Sequence, residues 1–230
     1  MGRDKLYQFL QAHDLILRQK RSVPKTTNSA HGLRKYPNLL VNIVLTAPQQ
    51  AWVCDITYLC IGLGFGYLSL LTDAYSKLIV GYCLRPLLTV EGSLKALAMA
   101  LQSEYSHPAS LIHHSDRGSQ YGSFAYIQRL RQAQVAISMT QHGDPYENAV
   151  AERVNDILKA DFRLNRVFIT FDEVARAVEQ SVRNYNHLRP HMSCGYLTPA
   201  AAHASTEPLQ KHWKPKVCET AQTPLPIDIG

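Results

Sequence analysis

The grouping of apolar residues between positions 51 and 189 is the most regular feature of the chain. Short runs rich in β-branched and aromatic residues predict strands, and longer stretches with apolar residues every three or four positions predict helices. The predicted strands are 51–60, two strands within 65–84 around a "DAYSK" turn, 109–115 and 135–140. The predicted helices are 89–105, 121–133, 146–162 and 170–189, with Thr89 and Thr170 as N-caps of the first and last. This order predicts an α/β fold with a mixed five-stranded sheet flanked by helices.

The two ends of the chain lack this regular pattern. Residues 3–21 have apolar positions interrupted at "AHD", which predicts one short helix, a turn and a short extended piece. Residues 22–50 carry three prolines and little periodicity. The pattern therefore divides the chain into a small basic helical segment (1–24), a linker (25–50), a core (51–204) and a loose tail (205–230).

Length and composition indicate a folded protein with one sizeable core. The chain has 230 residues, of which 46% are hydrophobic. No run of 18 apolar residues predicts a membrane helix, and the polar, basic N-terminus lacks the apolar stretch of a secretory signal. The five cysteines form no CxxC pair, which argues against a disulfide framework and favours a reducing cytosol.

The net charge of +6 is unevenly distributed along the chain. Residues 1–50 hold eight Lys and Arg against two Asp, which equals the whole excess, while residues 51–230 carry sixteen charges of each sign. The basic head includes Arg18, Lys20 and Arg21. It is either a contact for a polyanion such as DNA or a solvated leader, and charge alone does not separate the two.

Two aspartates occupy positions where an ionised carboxylate is costly. Asp55 interrupts the apolar strand "WVCDITY", and Asp116 follows the buried strand "SLIHHS". A buried carboxylate needs a partner; backbone N–H groups, or Arg117 beside Asp116, are the structural explanation. Together with Glu152 on a helix, the two aspartates also match a carboxylate cluster. All-oxygen ligation selects Mg²⁺ or Mn²⁺, which suits phosphoryl transfer.

A histidine-based zinc site is the alternative raised by "HHSDRGSQY" (113–121), where His113 and His114 precede Asp116. Zinc would need further nitrogen or sulfur ligands at set spacing, and none is near. The loosely zinc-like "HLRPHMSC" (187–194) has no upstream CxxC. Asp73 is a fourth carboxylate close to the sheet, and the "DAYSK" turn is its better explanation.

The helix predicted at 146–162 carries a polar stripe. Asn148, Glu152, Asn155 and Lys159 are spaced by 4, 3 and 4 residues, so they share one face. Apolar residues lie roughly opposite, at Val150, Val154, Ile157 and Leu158. Taken alone, such a stripe is usually a solvated face.

The motifs "WVCDITY", "HHSDRGSQY" and "DPYENAVAERVNDILK" occur in this order, with 35 residues between Asp116 and Glu152. This arrangement resembles the D,D(35)E catalytic core of retroviral integrases and bacterial insertion-sequence transposases. It is most similar to the IS-three group, whose transposase is made by frameshift fusion of two reading frames. Residues 185–203 resemble the stretch that closes the catalytic domain there, and residues 25–40 resemble its linker. The resemblance covers roughly residues 3–203.

The resemblance implies an RNase-H-like fold and a DNA transposase. Asp55, Asp116 and Glu152 would be the catalytic residues and the ligands of two Mg²⁺ or Mn²⁺ ions. Lys159 would contact the DNA end, and Asn148 and Asn155 on the same stripe would be further DNA contacts. Water would first cut at the end of the element, and the freed 3′-OH would then attack a second phosphodiester. The implied partners are double-stranded DNA (terminal repeats and target), further copies of the chain and the upstream-frame product, at the nucleoid in a bacterial cytoplasm.

Several points stay open at this level. Arg117 is a further candidate for DNA contact, with surface packing as an equal alternative. An RNase-H-like nuclease that only hydrolyses DNA would carry the same carboxylates. A truncated second-frame product that binds DNA without catalysis, and so inhibits transposition, would carry the same fold.

Overall fold

The structure is a computed structural model that describes residues 2–13, 32–102, 110–141 and 148–209. The strands are β1 (Ala51–Ile61), β2 (Gly64–Asp73), β3 (Ile79–Arg85), β4 (Ile112–Ser115), β5 (Ala136–Met139) and β6 (Val167–Phe168). The helices are α1 (Arg3–Ala12), α2 (Val90–Leu101), α3 (Ser119–Gly122), α4 (Phe124–Gln132), α5 (Ala149–Ala160), α6 (Phe171–His187) and α7 (Pro199–Ala204), with a 3₁₀ turn at Met192–Cys194.

The sheet is mixed, with the order β3-β2-β1-β4-β5 and β6 paired to the end of β1. β1 and β2 form an antiparallel hairpin whose tight connection places Gly62 at φ 53°, a conformation that favours glycine. β4 and β5 are joined through α3 and α4, and this crossover makes them parallel to each other and to β1. The longest strand therefore lies in the centre of the sheet, between hairpin and crossover.

Each face of the sheet is covered by its own set of helices. Trp52 and Cys54 point to the face covered by α2 and α4, where they join a buried cluster with Leu97 and Leu130. Leu59 belongs to the opposite cluster, which is completed by α5 and α6. Successive side chains of a strand point to opposite faces. The odd-numbered residues of β1, Asp55 among them, therefore face α5.

Most predicted elements are present; the structure adds the short helix α7 and differs from the prediction in three further respects. The sheet has a sixth strand, β6, which two residues are too short to signal in the sequence. The predicted helix 121–133 is two helices, because Ser123 leaves the helical conformation and its Oγ accepts the Tyr126 N–H to start α4. Thr170 caps α6 through the Glu173 N–H, whereas Thr89 precedes α2 without a side-chain cap.

The predicted linker packs on the core along the part that the structure describes. Tyr36 contacts the cluster under α2 and α4, and Leu40 and Leu45 contact a small cluster around Val53. α1 begins and ends close to the predicted helix and buries no residue. The extended piece predicted after it, and the tail beyond residue 209, lie outside the described residues. Within the described ranges no helix is both long enough and apolar enough to span a bilayer.

Candidate active site

Strand register brings Asp55 and Asp116 together. β1 and β4 are parallel and pair Cys54 with Ser115, so the next residue of each chain, Asp55 and Asp116, lies at the same level. Paired strands lie about 4.8 Å apart, which makes these two carboxylates direct neighbours. Residues 61 positions apart in sequence thus meet because of one strand pairing.

The Asp55 carboxylate is held from two sides. Its Oδ1 accepts the N–H of Ile56 at 2.8 Å, and its Oδ2 accepts the side-chain N–H of Asn155 at 2.7 Å. Burial, and then the negative charge of Asp116, raise the pKa of Asp55 to about 7, against the lowering effect of these two hydrogen bonds; Glu152 adds to the rise. Two neighbouring carboxylates repel each other, so this pair favours a positive ion.

Asp116 is positioned by the turn that follows β4. Its Oδ1 accepts the N–H of Gly118 at 2.9 Å, a side-chain turn typical of aspartate. A Cβ at position 118 would lie 2.9 Å from that same oxygen and 3.3 Å from Gln120 Oε1. A side chain at position 118 would therefore displace the Asp116 carboxylate or the Gln120 side chain, and glycine leaves both in place.

Glu152 lies in the first turn of α5 and is exposed. Burial is the largest cause that raises the pKa of Glu152, followed by the charges of Asp156 and Asp116. Glu152 is therefore close enough to interact electrostatically with Asp116. Within the residues that the structure describes, no group of three His, Cys, Asp or Glu side chains is placed to hold one metal ion together. The structure thus brings Asp55 and Asp116 into one site and leaves Glu152 at its margin.

The aspartate pair opens onto a small pocket of about 140 Å³. Its lining is polar and aromatic: Asp55, Ile56, Thr57, Tyr58, Tyr67, Leu88, Asp116, Gly118, Ser119, Gln120 and Tyr121. The Lys159 ammonium lies over the Tyr58 ring, 4.8 Å from its centroid. A cation therefore stands beside the acidic pocket, where a phosphate group would be close to both.

The predicted polar stripe of α5 needs a correction at two positions. Asn148 and Asn155 are buried, at 6% and 5% exposure, and do not face solvent where DNA would approach. The Asn148 amide donates to the carbonyl of Cys54 at 3.1 Å, and the Asn155 amide donates to Asp55. Both side chains tie α5 to β1 because the polar groups at the centre of the sheet need partners there.

His113 and His114 belong to the core. His113 Nε2 lies 3.1 Å from Cys54 Sγ and 2.9 Å from the Tyr126 hydroxyl, and burial lowers its pKa to about 3, so the ring is neutral. His114 Nδ1 lies 2.8 Å from Ser138 Oγ. Successive strand residues point to opposite faces, so the two rings cannot share one ion with Asp116.

Asp73 supports the turn after β2, as the sequence indicated. Its Oδ1 accepts the N–H groups of Tyr75 and Ser76, and its Oδ2 accepts the Gln49 N–H at 2.7 Å. Ser76 Oγ lies between Asp73 and His203 Nδ1, 2.8 Å from each. This carboxylate is fully buried and satisfied, and it is not part of the pocket.

Four further residues were predicted to contact DNA, one beside Asp116 and three in the basic head. Arg117 is half-buried directly after Asp116. Arg18, Lys20 and Arg21 lie outside the described residues. Of the described residues that were predicted to contact DNA, Lys159 is the one whose charge lies beside the pocket.

The raised pKa of Asp55 predicts a pH-dependent stability in the metal-free protein. The folded state holds this proton up to about pH 7, whereas the unfolded chain releases it near 3.8. Stability from this group is therefore full below pH 3.8 and is lost as pH rises through about 7. At pH 8 the free energy of unfolding of Asp55→Asn should exceed that of the wild type by roughly 1–3 kcal/mol. This difference should vanish near pH 4.

Urea unfolding at both pH values measures this effect. Asp4→Asn is the matched control, because the Asp4 side chain is 94% exposed and its loss should change little at either pH. An equal difference between Asp55→Asn and wild type at pH 4 and pH 8 would contradict a raised pKa at Asp55.

The family of the chain follows from comparison with known proteins. Two models, each described as integrase core domain, match residues 46–145 and 133–199. The chain is 39% identical to the insertion element IS600 uncharacterized 31 kDa protein of Shigella sonnei, over 87% of this chain and 74% of that protein. It is 34% identical to the transposase for IS629 of Shigella sonnei, over 81% of this chain and 62% of that protein. The transposase InsF for IS3A of Escherichia coli is 32% identical, over 83% and 66%.

Solved structures agree with the architecture. A chain of the simian T-cell lymphotropic virus intasome in complex with PP2A regulatory subunit B56 gamma superposes with a TM-score of 0.61 at 18% identity, over 94% of this chain and 75% of that one. The HTLV-2 integrase catalytic core domain in complex with magnesium gives 0.55 at 17% identity, over 68% and 97%. The fold is therefore RNase-H-like. Taken with the relatives, these matches place the chain in the integrase-core family of insertion-sequence transposases.

Proposed function

We propose that this chain catalyses metal-dependent cleavage at the ends of an insertion sequence and the transfer of the cleaved strand to a second DNA site. The observation that carries the proposal is the Asp55–Asp116 pair, two adjacent carboxylates of which one has a pKa raised to about 7 by burial and by its neighbour. Such a pair is unfavourable without a bound cation. Because both carboxylates line a polar pocket, a cation bound there would compensate their repulsion.

The donor set fits Mg²⁺ or Mn²⁺. Asp55 and Asp116 offer carboxylate oxygens, the ligands that hard cations prefer. His113 is buried and neutral on the opposite face of the sheet, and His114 Nδ1 contacts Ser138 Oγ. We assign Asp55 and Asp116 as the primary ligands and Glu152 as the third, which requires Glu152 to come closer to the pair. One or two bound ions would polarise the scissile phosphate and favour ionisation of the attacking hydroxyl.

The protein groups around the pair have separate tasks. Ile56 and Asn155 hold the Asp55 carboxylate in one orientation and favour its ionised form. The Gly118 N–H fixes Asp116. Lys159, at the side of the pocket, would bind a phosphate next to the scissile one. Because each of these contacts orients a group before the reaction, the entropic cost of reaching the transition state is lower.

No protein nucleophile is required. Water attacks first and releases a 3′-OH, and that 3′-OH then attacks a phosphodiester in a single step, so one P–O bond forms as another breaks. Tyr121 lines the pocket, but burial raises the pKa of its hydroxyl well above the ordinary value, which makes it a poor nucleophile. The substrates we propose are the terminal repeats and a target duplex, with further copies of the chain and the upstream-frame product as protein partners, at the bacterial nucleoid.

A strand-transfer assay tests the proposal. Full-length chain is stripped of metal by chelation, mixed with duplex DNA that carries the element's ends, and supplied with Mg²⁺, Mn²⁺ or Zn²⁺. We expect cleaved ends and joined products with Mg²⁺ and Mn²⁺. Cleavage without joined products indicates a nuclease that only hydrolyses. DNA binding without either product indicates a non-catalytic inhibitor, and activity with Zn²⁺ alone would contradict a carboxylate site.

Removal of the Lys159 side-chain charge should weaken binding of the DNA end and leave the fold intact. Lys159→Ala loses one phosphate contact, so the slope of log K against log[salt] should fall by about 0.9. Its contact with Tyr58 contributes only about 0.5–1 kcal/mol to stability. Filter binding and thermal melting measure both effects. A melting temperature as low as that of Leu158→Ala, a core variant on the same helix, would make the lysine structural.

A further inference from the structure

The outer edge of β5 carries a group of cations next to one tyrosine. Residues 34–39 run along this edge: the Met139 N–H donates to the carbonyl of Pro37 at 3.3 Å, and the Leu39 N–H donates to Ser138 Oγ at 2.8 Å. The α4 helix, which leads into β5, faces the same region through Arg131, whose Nη2 donates to the Tyr36 hydroxyl at 3.3 Å. We name the group the outer-edge patch; it consists of Arg34, Lys35, Tyr36 and Arg131.

Two guanidinium groups share the single tyrosine of this patch. Arg34 lies over the Tyr36 ring, 5.3 Å from its centroid, while Arg131 reaches the hydroxyl of the same ring. Like charges held this close repel each other. Packing around Tyr36, which contacts the core, nevertheless keeps both arginines on one surface.

The two segments that form the patch carry no acidic residue. Residues 32–54 and 117–141 contain no Asp or Glu. Among the ion pairs formed by described residues, none involves Arg34, Lys35 or Arg131. By contrast, α6 carries Arg176 and Arg183 together with three acidic residues, Asp172, Glu173 and Glu179. The outer-edge patch is therefore a local surface of positive potential that attracts anions.

We propose that the outer-edge patch binds the phosphate backbone of a DNA duplex at a position separate from the carboxylate pocket. The inference rests on the proposed function, since it assumes DNA as substrate. No residue that lines the pocket belongs to the patch. β4 lies between β1 and β5, so the patch is on the edge of the sheet and the pocket is nearer its centre.

The arrangement fits phosphates of a duplex better than bases of a single strand. Single-strand binding proteins stack bases on open aromatic rings, but Tyr36 is half-buried and its ring is covered by Arg34. Guanidinium groups bind phosphate oxygens in pairs of hydrogen bonds. Phosphate contacts carry no sequence information, so the patch serves flanking or target DNA of any sequence.

The salt dependence of DNA binding tests the patch. The double variant Arg34→Ala/Arg131→Ala of the full chain is compared with Arg176→Ala/Arg183→Ala, which removes two exposed arginines from α6. The probe is a short duplex of random sequence. If both patch arginines neutralise a phosphate, the slope of log K against log[salt] should fall by about 1.8, with wild-type melting behaviour. The control should keep the wild-type slope.

Three results would overturn the patch: an unchanged slope in the patch variant, an equal fall in the α6 control, or a loss of affinity for single-stranded DNA or duplex RNA while duplex DNA binding stays intact. The cleavage assay on wild-type chain keeps the two proposals apart. A reduced slope in a chain that does not cleave supports the patch and rejects the proposed function. Cleavage with an unchanged slope supports the function and rejects the patch.

Discussion

Asp55→Asn and Asp116→Asn should each reduce DNA cleavage and strand transfer by roughly a thousandfold or more. Each substitution removes one negative oxygen ligand at nearly constant shape, so the cation loses its site while the side chain still fits. The losses should not add in the double variant, because the two carboxylates act as one unit. Product formation on element-end DNA, with Mg²⁺ returned after chelation, measures the effect.

Glu179→Gln is the charge-matched control, because Glu179 is an exposed carboxylate on α6, away from the pocket. It should retain wild-type activity. Wild-type activity in Asp116→Asn would reject the carboxylate pair as the site.

Glu152→Gln distinguishes a site of two carboxylates from one of three. Glu152 is exposed and stands at the margin of the pair. If it closes onto the metal as proposed, Glu152→Gln should be as inactive as Asp55→Asn. Retained activity would leave Asp55 and Asp116 as the complete ligand set, and the assignment of Glu152 would be wrong.

The largest expected loss of stability is that of Asp73→Ala, at roughly 3–5 kcal/mol. The substitution removes the acceptor of three backbone N–H groups, those of Gln49, Tyr75 and Ser76. Buried donors without a partner are costly. The substitution also removes the acceptor of the Ser76 hydroxyl, whose Oγ contacts His203 of α7 as well. The attachment of α7 to the sheet should therefore weaken. Urea unfolding of the metal-free protein measures the change.

Asp156→Ala is the control for this loss, since Asp156 is exposed on α5 and its removal should change stability by less than about 0.5 kcal/mol. Asp55→Asn is the contrasting case, with lost activity and no loss of stability. If Asp73→Ala unfolds like Asp156→Ala, the buried network does not hold the turn. If it folds normally but is inactive, Asp73 belongs to the chemistry after all.

Sequence patterns determined much of the architecture, because strand and helix formation depends on local periodicity. The five main strands and the four core helices, in their succession along the chain, were predicted from the pattern of apolar residues, but the order of the strands in the sheet was not. The two aspartates were identified because each interrupts or follows a run of buried residues, where an ionised group requires an explanation. Asp73 was assigned to its turn for the same local reason, and the structure confirms that assignment.

Only the tertiary structure decided which polar residues meet. Asp55 and Asp116 become neighbours through the pairing of β1 with β4, a register that no local pattern contains. Asn148 and Asn155 look like members of a solvent-facing stripe in sequence, yet they are buried because Cys54 and Asp55 on β1 need hydrogen-bond donors. In the same way, Tyr36 contacts both Arg34 and Arg131, which are 97 positions apart in the sequence. Periodicity indicates which side of an element is apolar, but the partners of its polar groups are fixed only when the elements pack against each other.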